Sequence, residues 1–366
     1  MKFTVSREDF LKPLQLVVGV VERRQTLPIL SNVLINLNEG CLSLTGTDLE
    51  VEIVGHLSLD APSEHGEITV PARKLMDICR SLPDSADITF TEEAGRVQVT
   101  SGRSRFTLSS LPANEFPSVD DGPGKCEFSI EQNGLKELID HTAFAMAQQD
   151  VRYYLNGMLL EVGDGRVRAV ATDGHRLAMM DQEVDGLSQE LTQAILPRKG
   201  VIELSRLLSD DGEVSVVMGT NHIRIATAEF RFTSKLVDGA YPDYDRVLPK
   251  GGDKQMVGNR EELRNAFSRT AILSNEKYRG VRLLLSDGLL TLVANNPEQE
   301  EAQEDVTVNY SSGDLEVGFN VSYIIDVLNV LRGSEAQFTL SDANSSALIE
   351  DPANSRAVYV VMPMRL

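Results

Sequence analysis

Arg105-Phe106-Thr107-Leu108-Ser109-Ser110-Leu111 decides the reading of this chain, because the chain returns to it twice. It recurs as Arg231-Phe232-Thr233 before Ser234-Lys235-Leu236, and more loosely as Ala357-Val358-Tyr359 before Val360-Val361-Met362. The step from Phe106 to Phe232 is 126 residues, and the step from Phe232 to Val358 is the same. A period this long is too large for a solenoid unit and matches a whole domain. Other landmarks keep step with it. Leu11, Leu14 and Val17 correspond to Leu135, Leu138 and Thr142, then to Leu263, Ala266 and Thr270, each set on one face of a helix. A second helix opens after Pro71-Ala72-Arg73-Lys74, after Pro197-Arg198-Lys199 and after Asn320-Val321-Ser322. Proline costs nothing at a helix entrance, where the first-turn amides have no partner.

Alternating runs lie between the helices: Leu42–Thr45, Val167–Val170 and Leu290–Val293, which read as half-buried strands. Short turns such as Ser286-Asp287-Gly288 separate the strands. The expectation is an α+β fold of three similar domains, with helices gathered on one face of antiparallel sheets. The turn-rich stretches Ser118–Lys125 and Lys250–Lys254 mark the joints, giving domains 1–120, 126–248 and 249–366.

With 366 residues, 42% of them hydrophobic, the chain supports three cores. No apolar run is long enough for a membrane span, and the N-terminus carries no signal-peptide pattern. Cys41, Cys79 and Cys126 are odd in number and far apart, so no disulfide framework or zinc site is encoded and a reducing cytoplasmic home follows. Five scattered histidines, and the lack of a P-loop, a dinucleotide turn or a nucleophile elbow, argue against a metal-dependent or other enzyme.

The net charge of −20 argues against a broad basic surface that grips nucleic acid. The charge is unevenly placed, however. Glu298–Asp305 is acidic with no basic residue, whereas Arg96, Arg103 and Arg105 cluster in the first repeat with Lys74 in the same domain. Head-to-tail docking brings the two signs together, and a heterologous contact closes into a ring when the rotation fits. A domain of this size is roughly 35 Å across, so three in a ring leave a hole of about 5 Å and six leave about 35 Å. Duplex DNA, about 20 Å across, passes only the larger. A ring also removes the charge objection, because topological linkage needs little phosphate affinity.

Several strings are distinctive: LSLTGTDLEVE (Leu42–Glu52), QDVRYYLNGM (Gln149–Met158), ATDGHRLA (Ala171–Ala178), FTSKLVDG (Phe232–Gly239), ILSNEKYRGV (Ile272–Val281), NNPEQEE (Asn295–Glu301) and the terminal YVVMPMRL. On these the chain resembles, end to end, the bacterial DNA polymerase III beta subunit family of sliding clamps. The resemblance implies a homodimeric ring without catalysis, cofactor or metal, with helices lining the hole. It further implies loading onto double-stranded and primed DNA by a clamp loader, and tethering of the polymerase III alpha subunit and other proteins that carry a clamp-binding motif. The implied DNA-facing residues are Arg24, Arg73, Gln149, Tyr153 and Tyr154; arginine suits phosphate and tyrosine suits an unpaired base.

The implied partner-peptide cleft uses Leu155, Thr172, Gly174, His175, Arg176, Leu177, Pro242, Val247, Asn320, Tyr323, Ser346, Val360 and Met362, with Pro363, Met364, Arg365 and Leu366 as its rim. Without the resemblance, Val358–Met362 reads as a core-facing terminal strand, and His175 as a hydrogen-bonded loop residue. Read as an adjacent strand pair, Tyr153 and Tyr154 face opposite ways, with one ring in the core. The implied subunit interface has Phe106, Leu108, Ile272 and Leu273 at its apolar centre. Around it lie Lys74, Arg96, Arg103 and Arg105 against Glu298, Glu300, Glu301 and Glu304. The rival that shares most of these features is a monomeric adaptor using the peptide cleft alone.

Overall fold

The computed structural model describes residues 1–22, 27–59, 63–93, 95–119, 122–185, 187 and 190–365. Among them the order strand, helix, four strands, helix, three strands occurs three times over. The helices are α1 (Arg7–Val18) and α2 (Ala72–Ser81), α3 (Gln132–Thr142) and α4 (Arg198–Leu207), and α5 (Arg260–Thr270) and α6 (Val321–Val330). Local chemistry sets their starts. Ser6 accepts from the Asp9 N–H, Asn259 from Glu261 and Glu262, and Asn320 from Ser322, each satisfying amides that a helix leaves unpaired. The apolar triplets expected on the first helix of each repeat are all buried, from Leu14 and Val17 to Leu263 and Thr270.

In the first repeat α1 lies unusually close to the sheet. A Cβ on Gly55 would meet Pro13 at 2.8 Å, and one on Gly46 would meet the Val17 carbonyl at 2.6 Å. The two glycines belong to paired strands, Cys41–Thr47 and Val51–Ser58, and together they clear a shelf for the helix.

Each repeat makes two four-stranded half-sheets, and the repeats join by fusing them. Gly66–Pro71, Asn32–Asn38, Cys41–Thr47 and Val51–Ser58 of the first repeat continue into Phe230–Lys235, His222–Ala226, Glu213–Gly219 and Gly124–Glu131 of the second. By the same rule, Thr192–Pro197, Gly157–Gly163, Arg166–Thr172 and Arg176–Glu183 continue into Asn354–Val361, Ala347–Asp351, Glu335–Leu340 and Lys254–Asn259. Two half-sheets stay four-stranded. One ends at Ser104–Ser109 and the other at Glu301–Thr307. Fusion also explains why the chain separates into two compact units that ignore the repeat boundaries: Met1–Asn133 with Lys199–Leu236, and Gly134–Arg198 with Val237–Leu366.

The cross-strand ladders correct the repeat register by one residue. Val99↔Phe106, Ile225↔Phe232 and Ile349↔Tyr359 are the same rung in three hairpins. Tyr359, not Val358, is therefore the counterpart of Phe232, and the second step is 127 residues rather than 126. A one-residue slip exchanges the two faces of a strand. Phe232 and Tyr359 are both fully buried, whereas Val358 sits on the half-exposed face. The third repeat has a longer turn between Leu340 and Ala347 and a register shift in the last hairpin between Glu350 and Asp351, and a shorter earlier half almost cancels them. Tyr359 also bonds through its hydroxyl to His141 Nδ1 at 2.7 Å, tying the last strand to α3. Among the described residues the three cysteines are free thiols, no acidic, His or Cys cluster has metal-site geometry, and no helix is long and apolar enough to cross a membrane.

Candidate functional site

An apolar cluster forms in the second unit where the strands of repeats two and three meet. Leu159, Val170, Leu177, Ile195, Tyr244 and Val360 are its buried centre, and half-buried Tyr154, Val247 and Leu348 lie among the residues packed over it. Leu177 and Val360 face each other across the Arg176–Glu183 and Asn354–Val361 ladder, which places them side by side. Of the expected cleft residues, Leu177, Val247 and Val360 come together in this cluster, and the set lies at different depths. Leu155, Leu177 and Val360 are buried, as the core-facing reading of the last strand anticipates for Val360. Val247, Tyr323, Ser346 and Met362 are half-buried, and Pro242 is exposed.

Arg176, His175 and Asn320 of the set are already engaged. Arg176 lies over the Tyr323 ring at 4.4 Å and the Phe144 ring at 5.2 Å. It donates to Asp173 at 3.0 Å and to Asp326 at 2.5 Å. Its work is to lock the Thr172–Arg176 turn to α6 rather than to wait for a ligand. His175 is an exposed turn residue whose N–H donates to Asp173 and whose carbonyl accepts from Met362. Asn320 is spent on capping α6. Gly174 has φ +87°, and a Cβ there would meet the Arg152 guanidinium at 3.1 Å, so glycine is required at the turn. Arg152 escaped the sequence reading; it pairs with Asp150 at 2.8 Å and its hydrogen bonds hold that carboxyl down to about 2. The tail is pinned on both sides of Pro363, by Met362 N–H to His175 O at 2.9 Å and Met364 N–H to Gly318 O at 2.8 Å. Arg365 is exposed, and Leu366 lies outside the described residues.

Of the expected DNA-facing residues, Arg24 also lies outside the described residues. Arg73 is exposed and donates one N–H to the Val21 carbonyl at 2.8 Å. It shares a groove of about 390 Å³ with Arg80 of the same helix and Arg206 of α4, two arginines whose helical spacing in the sequence gave no sign of this convergence. Gln149 is exposed with φ +56°. Tyr153 and Tyr154 do not form a strand pair. They open a 3-10 turn, Tyr153–Asn156, because the chain must reverse before the strand Gly157–Gly163. Tyr153 is 56% exposed, and Tyr154 packs on the cleft cluster with the two rings edge-on at 5.8 Å.

The proposed interface residues lie on or beside the two unfused half-sheets, each described within its own unit. Phe106 is half-buried and Leu108 nearly buried on Ser104–Ser109, with Arg96, Arg103, Arg105 and Lys74 exposed. Ile272 is 75% exposed and Leu273 half-buried in the turn after α5. Glu298, Glu300 and Glu301 are exposed, but Glu304 is held bidentately by Arg269 at 2.7 and 2.9 Å, which lowers its carboxyl below the usual range. Glu304 therefore already has a partner within its own chain.

Three repeats joined half-sheet to half-sheet, with an apolar cluster beneath the last strand, define a DNA clamp. The family models for the DNA polymerase III beta subunit match throughout: the N-terminal domain at residues 1–120, the central domain at 129–243 and the C-terminal domain at 245–365. The chain belongs to the DNA polymerase III beta subunit family, the bacterial beta sliding clamps. It is 64% identical to the beta sliding clamp of Pseudomonas aeruginosa and 54% identical to that of Escherichia coli K12, each over the whole of both chains. The crystal structure of the Pseudomonas aeruginosa subunit superposes with a TM-score of 0.98 at 63% identity, covering all of both chains. A second structure of that clamp, bound to griselimycin, gives 0.98 at 64% identity with the same coverage.

Proposed function

We propose that two copies close head to tail into a ring of six repeats (1–120, 126–248 and 249–366 of each chain) that encircles duplex DNA. The ring is loaded by a clamp loader at primed sites and slides. It tethers the polymerase III alpha subunit and other partners through the apolar cleft, raising their effective concentration at the primer end. It acts in the bacterial cytoplasm as a non-catalytic processivity factor. Griselimycin, which is bound to the Pseudomonas aeruginosa clamp, is expected to bind this chain as well, with the apolar cleft as its proposed site.

One observation carries the ring: the rule that joins the repeats is unsatisfied at both ends of the chain. Inside it, Val51–Ser58 pairs with Phe230–Lys235, and Arg176–Glu183 with Asn354–Val361. The third repeat's equivalent of the first-named strands is Glu301–Thr307, and the first repeat's equivalent of the second-named is Ser104–Ser109. Applying the rule once more joins the edge of one copy to that of the next, twice per dimer, leaving neither edge open.

The rule also supplies a register. Phe232 lies opposite Ile53, and its counterpart Tyr359 lies opposite Ala178. The position of Ile53 and Ala178 is filled in the third repeat by Ala302, since Gly46↔Ile53, Ala171↔Ala178 and Ala294↔Ala302 are equivalent rungs. Phe106 of one copy therefore faces Ala302 of the other. Bonds from His56 N–H to Glu229 O and from Met362 N–H to His175 O show that Phe232↔Ile53 and Tyr359↔Ala178 are non-hydrogen-bonded rungs. In such a rung the Cα atoms are about 4.5 Å apart, within disulfide reach. Phe106→Cys with Ala302→Cys, in a Cys41→Ser background, is expected to give a covalent dimer of twice the 40.2 kDa chain on oxidation. Phe106→Cys with Gln303→Cys, one residue out of register, is expected to stay monomeric under denaturing electrophoresis. The reverse pattern would refute the register.

Function itself is tested by retention after loading on nicked circular and linear DNA at about 1 M salt, where screening reduces phosphate attraction to about 3 Å range. A ring persists on circles and slides off linear ends. Equal loss from both, with an active loader, would leave the peptide-binding adaptor.

A further inference from the structure

The cleft has a wall that belongs to neither repeat's sheet. Between the last strand of repeat two, Phe230–Lys235, and the first of repeat three, Lys254–Asn259, runs a long connection. Its segment Val237–Leu248 is strapped across the sheet of repeat two and carries both Pro242 and Val247. The strap is held by little ordinary secondary structure: one backbone bond, Val237 N–H to Ile195 O at 2.9 Å, and a single 3-10 turn, Tyr244–Arg246. Two tyrosine hydroxyls make up the difference.

Tyr241 accepts from the Thr172 N–H at 3.0 Å. The ladder between Arg166–Thr172 and Gly157–Gly163 has its last rung at Leu159↔Val170, so the phenol takes over an amide that the sheet has released. Tyr244 goes deeper. Its ring is part of the buried cluster and its hydroxyl donates to Glu161, a buried carboxylate, in a short hydrogen bond. Arg168 donates to the same hydroxyl at 3.1 Å and to Asp181 at 2.5 Å, and Gln193 donates to the other oxygen of Glu161 at 2.6 Å. A carboxylate and a guanidinium from two neighbouring strands thus converge on one phenol of the strap. Burial and the Glu161 carboxylate push that phenol up to about 12, so it stays a neutral donor at every working pH.

We infer that Tyr244, with Tyr241 in support, is a positioning residue for partner binding: it pins the strap so that the cleft stands formed before a ligand arrives. The inference rests on the cleft reading above. A buried charged network is an expensive way to hold a loop, because each group is desolvated and leaves its partner exposed to that cost if removed. A smooth apolar contact would hold the ring of Tyr244 just as close; the network adds one fixed position for the backbone that bears Pro242 and Val247. Without it the strap samples other positions, and apparent affinity falls by the fraction of time the cleft is competent.

The test is Tyr244→Phe, which keeps the buried ring and removes only the hydroxyl, with griselimycin as the probe in surface plasmon resonance. The expected result is an association rate lowered about tenfold, the size of one hydrogen bond to a charged group, with a dissociation rate within about twofold of the parent. Amide exchange across 237–248 is expected to quicken. Tyr241→Phe, which disturbs no buried charge, is expected to move both in the same direction by less, and it keeps the question open to measurement should Tyr244→Phe fold poorly. A raised dissociation rate with unchanged association would overturn the positioning role, because it is the mark of a lost direct contact. Unchanged rates and unchanged exchange in both variants would also overturn it. A parent protein that does not bind griselimycin, or binds it undiminished when Met362 is replaced by Glu, would overturn the cleft and the strap's role with it.

Discussion

Ile272→Ala together with Leu273→Ala is expected to turn the dimer into a folded monomer of 40.2 kDa. Ile272 is 75% exposed in the single chain, a large apolar side chain with nothing of its own chain to cover it. Each truncation removes about three carbons, at roughly 0.8 kcal/mol each when fully buried. Two residues at two contacts per ring make four truncations. Halving the sum for incomplete burial still leaves about 5 kcal/mol, between three and four orders of magnitude in the dimer dissociation constant. The flanking ion pairs cannot replace that, since exposed pairs contribute about 0–1 kcal/mol each, and Glu304 is already taken by Arg269. The turn itself survives, because Arg279 holds it from behind through Ala271 O at 3.2 Å and Ser322 Oγ at 3.3 Å. Sedimentation velocity and far-ultraviolet circular dichroism check the two halves of the expectation. A tight dimer of unchanged mass would remove Ile272 and Leu273 from the interface.

Much of this was legible from spacing alone. Helix faces and half-buried strands obey periods that any single repeat displays, and three copies of each reinforced the reading at Leu14, Leu138 and Ala266. What spacing could not show was how repeats join. Nothing in the local pattern of Val51–Ser58 says that its neighbour is Phe230–Lys235, some 180 residues away, because a strand's alternation records its faces and not its edges. The register at the third repeat is hidden for a related reason: added length late in the repeat is nearly offset by a shorter earlier half, so a run of small apolar residues can be matched one place out.

The site was legible in its apolar members and obscure in its polar ones. Leu177, Val360 and Met362 stand out as apolar residues near turns, but the strap's Tyr244 reads as an ordinary loop tyrosine until Glu161 and Arg168 are seen converging on it. Arg176 illustrates the converse. Its residue type suggests ligand recognition, and its geometry shows a cation already shared between two aspartates and two rings. Sequence names the donors and acceptors, and only the fold says which are spent.

Met362→Glu is expected to separate holding DNA from holding partners. Met362 follows the last strand, is half-buried, and is hydrogen-bonded to His175 through its backbone N–H, so the substitution leaves that hydrogen bond and the ladder intact. It does bring a carboxylate into the proposed cleft, two residues after Val360 of the buried cluster. A ligand that covers it must desolvate that charge, and Arg176 and Arg152 are already paired, with Asp173 and Asp326 and with Asp150, while Arg365 stands exposed to water. The penalty is roughly 3 kcal/mol or more, over a hundredfold in affinity. Griselimycin binding should fall by at least that factor, while dimer mass and retention on circular DNA stay at parental values. Polymerase processivity should fall with it, since a ring that stays on DNA but cannot hold the enzyme adds nothing to its effective concentration. The interface variant is expected to show the opposite pair of results, keeping griselimycin and losing the circle. If Met362→Glu instead lost retention on DNA along with the ligand, cleft and ring closure would be one device, and the division of labour drawn from the two unfused edges and the apolar cluster at Leu177 and Val360 would fail.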